Sequence, residues 1–142
     1  METMDKTAIT VKTVIKAPVE EVWKFWTEPR HVTQWCNASD DWHVPHSEND
    51  LQINGKFKTT MAAKDGSAGV DFEGVYTNII ENKLIEYTIA DGRKVRIDFS
   101  GHDNETGVTE TFEAESVNPV EMQRDGWQSI LNNFKKYAEE RQ

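Results

Sequence analysis

From Thr7 to Ile15 the residues Ile9, Val11, Thr13 and Ile15 share one parity, with polar or small residues mostly between them, the period of two that predicts a half-buried strand. The period changes at Ala17-Pro18. A proline is tolerated in a first helical turn, and Val19, Val22, Trp23 and Trp26 then follow at i, i+3, i+4 and i+7, so a short amphipathic helix is expected. Thr27-Glu28-Pro29 interrupts it: Glu28 precedes a proline and is pushed away from helical angles, while Thr27 or Glu28 can cap a second short helix that carries Val32, Trp35 and Cys36 inward. Residues 37 to 50 are polar and broken by Pro45, and read as a loop.

Alternation then returns at Ile53, Gly55, Phe57, Thr59 and Met61. KDGSAG, residues 64 to 69, carries hairpin-turn chemistry, and Val70, Phe72, Gly74 and Tyr76 resume the pattern until Glu81-Asn82 turns the chain. Ile85, Tyr87 and Ile89 lead to Asp91-Gly92, the strongest hairpin signal in the sequence, with Val95, Ile97 and Phe99 beyond it. A turn around Gly101 to Gly107 precedes a last strand with Val108, Glu110, Phe112 and Ala114 on one parity, apolar except for one carboxylate. Asn118-Pro119-Val120-Glu121 has the composition of a helix start, with Asn118 as N-cap, and Met122, Gly126, Trp127, Ile130, Phe134 and Tyr137 form the stripe of a long helix ending in polar AEERQ.

Strand, two short helices, about six antiparallel strands and one long helix make an α+β arrangement. Its economical solution is a strongly curved sheet wrapped around the long helix. Such a sheet need not fill the space beneath the helix, which leaves a cleft suited to an apolar ligand, with the short helices at one end. At 142 residues the chain reads as one domain over 1–142.

Charge and composition narrow the partners. With 25 acidic against 16 basic side chains and a formal charge of -9, the surface repels a phosphate backbone, so nucleic acid is not expected. No stretch approaches the roughly 18 to 20 apolar residues of a membrane span, METMDKTAIT lacks the apolar core of a secretory leader, and the single Cys36 cannot form an internal disulfide; a cytoplasmic location is the expectation.

The stretch HVTQWCNASDDWHVPH, residues 31 to 46, gathers three of the four histidines and the cysteine, yet its spacing disfavours zinc. His31 and Cys36 are five apart rather than three or four, and His43 and His46 straddle Pro45, so solvated histidines and no metal are expected. No nucleophile elbow surrounds Cys36, and the glycines of KDGSAG lack a following GK[ST]. Glu110 is the more telling residue. Facing the cleft, it would have its pKa raised by desolvation and could orient a polar group on a ligand or serve as acid or base. Turned outward by a bulge, or paired with Arg96 or a helix residue, it would be structural. Arg96 and Asp98 sit on the parity opposite Ile97 and Phe99 and read as solvent-facing cross-strand charges. Gly126 beside Trp127 reads as close approach between helix and sheet, or else as clearance for a ligand.

Four stretches, APVEEVWKFWTEPRHVTQWC (17–36), NDLQINGKFKTTMAAKDGSAGVDFEGVY (49–76), VTETFEAE (108–115) and QRDGWQSILNNFKKY (123–137), together closely resemble bacterial relatives of the heat-shock-protein-90 ATPase activator. That group is a branch of the SRPBCC superfamily, which also holds START lipid-transfer domains, pollen-allergen-like carriers and polyketide cyclases. One departure is Asn54, where many relatives have a second glycine before Gly55. The resemblance implies a helix-grip fold with a cavity that binds lipids, steroids, polyketides or other apolar molecules in different branches.

The expectation is therefore a non-catalytic protein, without cofactor, that encloses an apolar or amphipathic, lipid- or polyketide-like small molecule. Phe57, Phe72, Tyr76, Tyr87, Phe112, Trp127 and Ile130 are expected as walls, Trp35, Trp42 and His43 as a gate, and Glu110 as the polar anchor. Two other readings stand beside it: a chaperone-linked interaction module, although the extra N-terminal domain that mainly engages the chaperone in eukaryotic activators is not expected here, and a cyclase or hydrolase using Glu110 as acid or base. Monomer and homodimer are both compatible with the sequence.

Overall fold

The computed structural model describes residues 7–37 and 39–142; METMDK, the first part of the segment that argued against a leader, lies outside the described residues, as does Ala38. In chain order the elements are β1 (Ala8–Ile15), α1 (Val19–Thr27), α2 (Pro29–Trp35), β2 (Trp42–Asn49), β3 (Lys56–Ala63), β4 (Gly69–Ile80), β5 (Leu84–Ile89), β6 (Lys94–His102), β7 (Glu105–Glu113) and α3 (Val120–Glu139). The strands form one antiparallel sheet in the order β1-β7-β6-β5-β4-β3-β2, curled into a half-barrel. Among the described residues, no helix is long and apolar enough to cross a membrane.

One parity faces the concave side in each of β1, β7, β6 and β5. Ile9, Val11 and Ile15 of β1, Val108 and Phe112 of β7, Val95, Ile97 and Phe99 of β6, and Ile85, Tyr87 and Ile89 of β5 are all buried. Against them α3 lays Leu131, Phe134, Tyr137 and Ala138. Met122, expected in this stripe, is instead 62% exposed, and Leu131 with Gln123 completes the buried face.

The two short helices meet where proline chemistry requires. Glu28 sits at φ -84, ψ 124, because the ring of Pro29 denies it helical angles, and Pro29 opens α2 at a position whose N–H is not needed. Neither expected side-chain cap forms. Thr27 turns its hydroxyl back to the Trp23 carbonyl at 2.8 Å, and Glu28 pairs with Arg30 at 2.8 Å. α3 likewise starts one residue later than Asn118 predicts, with Pro119 in the cap position, and the side chain of Gln123 binds the Glu115 and Asn118 backbone in place of a cap.

The principal correction lies at residues 37–50. Trp42–Asn49 is a strand, β2, paired with β3. Pro45 is accommodated because β2 is the outermost strand and its register shifts between His43 and His46, so the absent N–H interrupts nothing. The 101–107 turn is tighter than expected: β6 and β7 run on to a two-residue hairpin in which Asp103 has φ +55. Asn54 has φ +70, the left-handed conformation that glycine adopts freely and asparagine tolerates, so an asparagine before Gly55 is compatible with the turn.

Candidate functional site

A cavity of about 460 Å³ lies between the curled sheet and α3. Its sheet side is Phe57, Thr59 and Met61 of β3, Phe72 and Tyr76 of β4, and Ile85 and Tyr87 of β5. Its roof is Gly126, Trp127 and Ile130 of α3, and its inner end is Trp26, Val32, Trp35 and Cys36 from the short helices. It reaches the surface between the β3–β4 hairpin and the start of α3, where Val70, Asn118 and Met122 are exposed.

Aromatic rings hold this shape. Phe57 lies 4.7 Å from Tyr87 and 5.2 Å from Tyr76, and Phe72 bridges towards Trp127 at 6.0 Å. At the inner end Trp26, Trp35 and Phe134 stand 4.7 to 5.0 Å apart, with the Trp35 indole N–H donating to the Phe25 carbonyl at 2.9 Å. Phe57 owes its place to Gly74, its cross-strand partner: a Cβ on Gly74 would come within 2.7 Å of the Phe57 ring. Of the two roles expected for Gly126, close approach does not hold, because a Cβ there meets nothing within 4 Å and would project into open cleft, which leaves clearance.

Glu110 faces this cavity. β7 pairs with β1 and β6 without a register shift, so no bulge turns Glu110 outward, and Arg96 is held on the other face by Asp98 at 3.0 Å. The Glu110 side chain is 5% exposed and has no hydrogen-bond or ion-pair partner among the described residues. Burial pushes its carboxyl up to about 8. Cys36 and Tyr87 are its titratable neighbours. Burial, with the Glu110 charge adding to it, raises the Cys36 thiol to about 12 and Tyr87 well above the phenol range, so neither is a nucleophile near neutral pH. At the rim, Asn49 accepts from the Tyr76 hydroxyl at 2.6 Å and donates to the Thr27 carbonyl at 2.6 Å, fixing β2 to the end of α1.

The structure brings together Trp35, Phe57, Phe72, Tyr76, Tyr87, Glu110, Trp127 and Ile130 around the cavity. Phe112 is not in the wall. It is fully buried behind Trp127, whose ring stacks on it at 3.8 Å and 11°. Trp42 and His43 stand apart from the cavity, paired with Ala63 and Ala62 on the edge of the sheet, and Trp35 is packed at the closed end rather than at an opening. The expected gate is therefore misplaced, and the mouth lies at Val70 and Met122. Met61, Ile85 and Cys36 also line the cavity without having been expected in its wall; the cleft-facing parity of β3 and β5 was the available signal for Met61 and Ile85.

The metal-capable side chains of 31–46 scatter. His31 Nδ1 meets the Tyr137 hydroxyl at 2.6 Å, His43 is exposed on β2, and His46 lies 3.4 Å from Glu48. Among the described residues, no group of three His, Cys, Asp or Glu side chains is placed to hold a metal ion.

The family model described as Activator of Hsp90 ATPase homolog 1-like protein matches residues 16–139. Among solved structures, an AHSA1-like protein from Aeromonas hydrophila is 40% identical, with a TM-score of 0.89 over 95% of this chain and 94% of that one. A protein from Cytophaga hutchinsonii is 54% identical, with a TM-score of 0.81 over 94% and 92%. A Nitrosomonas europaea protein at 16% identity, TM-score 0.80 over 94% and 95%, shares the fold. No functionally curated protein matches the chain.

Proposed function

The chain belongs to the Activator of Hsp90 ATPase homolog 1-like family, and on that premise we propose that it binds an apolar or amphipathic small molecule in the cleft between sheet and α3, as a carrier or sensor rather than an enzyme. The supporting observation is the cavity itself: about 460 Å³, with aromatic and aliphatic walls, a single buried carboxyl at Glu110, and polar side chains such as Ser47, Asn49, Thr59 and Gln123 around it, the usual make-up of a small-molecule site. A catalytic reading would need a second group to act with Glu110, and its titratable neighbours, Cys36 and Tyr87, both hold their protons at neutral pH. A chaperone partner rests on the family's description alone.

Gly126 provides the test. A leucine there fits a helix interior better than glycine and projects into open space, so Gly126→Leu should fill the cleft without unfolding the chain. Nile red fluorescence should rise on titration into the native protein and fail to rise with Gly126→Leu at unchanged thermal midpoint. Equal enhancement by both proteins would place the dye elsewhere and remove the reading.

A further inference from the structure

Two oxygen-bearing side chains in the cleft have no hydrogen-bond or ion-pair partner of their own among the described residues. Glu110 is 5% exposed and Tyr87 8% exposed, they come from β7 and β5, and neither makes a hydrogen bond or ion pair to any described residue. Their oxygens are nonetheless not sealed off, since the one fully occluded side-chain polar atom without a hydrogen-bond partner among the described residues is His31 Nε2. Both groups line the same cavity. A buried hydroxyl and a buried carboxyl without partners cost stability, a cost that an occupant can offset by supplying the missing bond.

We infer, resting on the cleft-binding reading above, that the polar end of the occupant is a carbonyl oxygen, received by the Glu110 carboxyl and the Tyr87 hydroxyl as two O–H donors.

The surroundings decide between possible polar ends. A carboxylate or phosphate needs a cation, and the cation in the lining, Arg93, is already engaged by Asp91 at 2.8 Å and by the Glu113 carbonyl at 3.3 Å. An ammonium would require Glu110 to ionise and form an ion pair inside an apolar wall, where the desolvation of both charges opposes the attraction between them. A carbonyl needs no charge. It has two lone pairs, and a neutral carboxylic acid and a phenol each bring one O–H. Burial keeps Glu110 protonated up to about pH 8, and Cys36 and Tyr87 beside it titrate far higher, so across pH 6 to 9 Glu110 is the one of the three that changes charge.

Three probes of one skeleton separate the possibilities by isothermal titration calorimetry on the full chain: 2-acetylnaphthalene, 2-ethylnaphthalene and 1-(2-naphthyl)ethylamine. The ketone should bind about tenfold more tightly than the hydrocarbon, the factor that a net hydrogen bond of ordinary strength supplies. Its affinity should be flat below pH 8 and decline above it. Tyr87→Phe should lose part of the advantage and Glu110→Leu most of it, whereas Glu110→Gln, which still donates, should retain some. Each variant's fold is checked by circular dichroism. Equal affinity for ketone and hydrocarbon would overturn the inference and leave cleft binding standing. An amine that binds most tightly, with affinity rising towards pH 8, would overturn it in favour of an ionised anchor. If none of the three binds and Nile red does not either, cleft binding itself falls and this inference with it.

Discussion

Glu110 shows how a single residue can make a protein's stability depend on pH in an unusual direction. Its ordinary carboxyl value of 4.5 is raised to about 8 by burial, so between these values the folded chain holds a proton that the unfolded chain has released. Stability is then greatest below 4.5, falls as pH rises, and levels off above 8, with about 3 kcal/mol lost by pH 7 on this account. Glu110→Gln should remove the slope. Urea denaturation should show the variant more stable than the native chain at pH 8.5 and indistinguishable from it at pH 4.5; equal stability at both would mean that solvent reaches the carboxylate. His31 works the other way. Its Nε2 is occluded and makes no hydrogen bond, although Glu28 lies 3.9 Å away; burial, reinforced by Arg30 and opposed by Glu28, lowers its pKa, so the imidazole contributes most above its ordinary 6.5 and less as pH falls below it. Glu110 itself could be singled out from the sequence because strand parity is a local property, but its lack of a partner could not, since that depends on what β5, β6 and α2 bring opposite it.

Among the elements, β3 and β4 are fitted to each other through Gly74 and Phe57. A Cβ at Gly74 would also lie 2.7 Å from the Thr88 carbonyl, so the ring cannot be displaced alone without the strand moving. Gly74→Ala should therefore cost about 1 to 3 kcal/mol, as overpacked core positions do, and push Phe57 into the cleft, so that thermal midpoint and dye affinity fall together. A midpoint loss with unchanged affinity would mean that the β4 backbone moves and the ring does not. Elements with a strong period were legible from sequence: β1, the β4–β7 meander and α3 lie where alternation or the 3.6 stripe predicts. β2 was not, because an edge strand whose apolar residues stop at Val44 and whose run is interrupted at Pro45 has too short a period to read, and its pairing is decided by β3. The gate failed for the same reason. Once Trp42 and His43 belong to a paired strand rather than a loop, they cannot fold over the cleft, and the open rim falls where the β3–β4 hairpin and α3 part.

At the scale of the molecule, a charge of -9 on 142 residues means that the folded chain works against its own repulsion. Raising sodium chloride from 20 to 300 mM should increase the urea midpoint; a fall would mean that the pairs Lys135–Glu139 at 2.8 Å and Arg96–Asp98 at 3.0 Å contribute more than the net repulsion costs. The first strand closes against the last, β1 on β7, so the sheet completes only when distant parts of the chain have met, and folding in milliseconds to seconds is the regime such non-local pairing imposes. The sheet has two outer strands, and each is defended in its own way. Along β1, Lys135 donates to the Val14 carbonyl at 2.6 Å, Gln128 donates to the Lys12 carbonyl at 3.3 Å, and the Lys16 N–H donates to Glu139 at 2.9 Å. Along β2, Pro45 and its register shift break the row of backbone donors. A neighbouring copy thus finds no continuous template at either border, so an open cleft lined with aromatic rings can persist at high concentration without the sheet growing into fibrils.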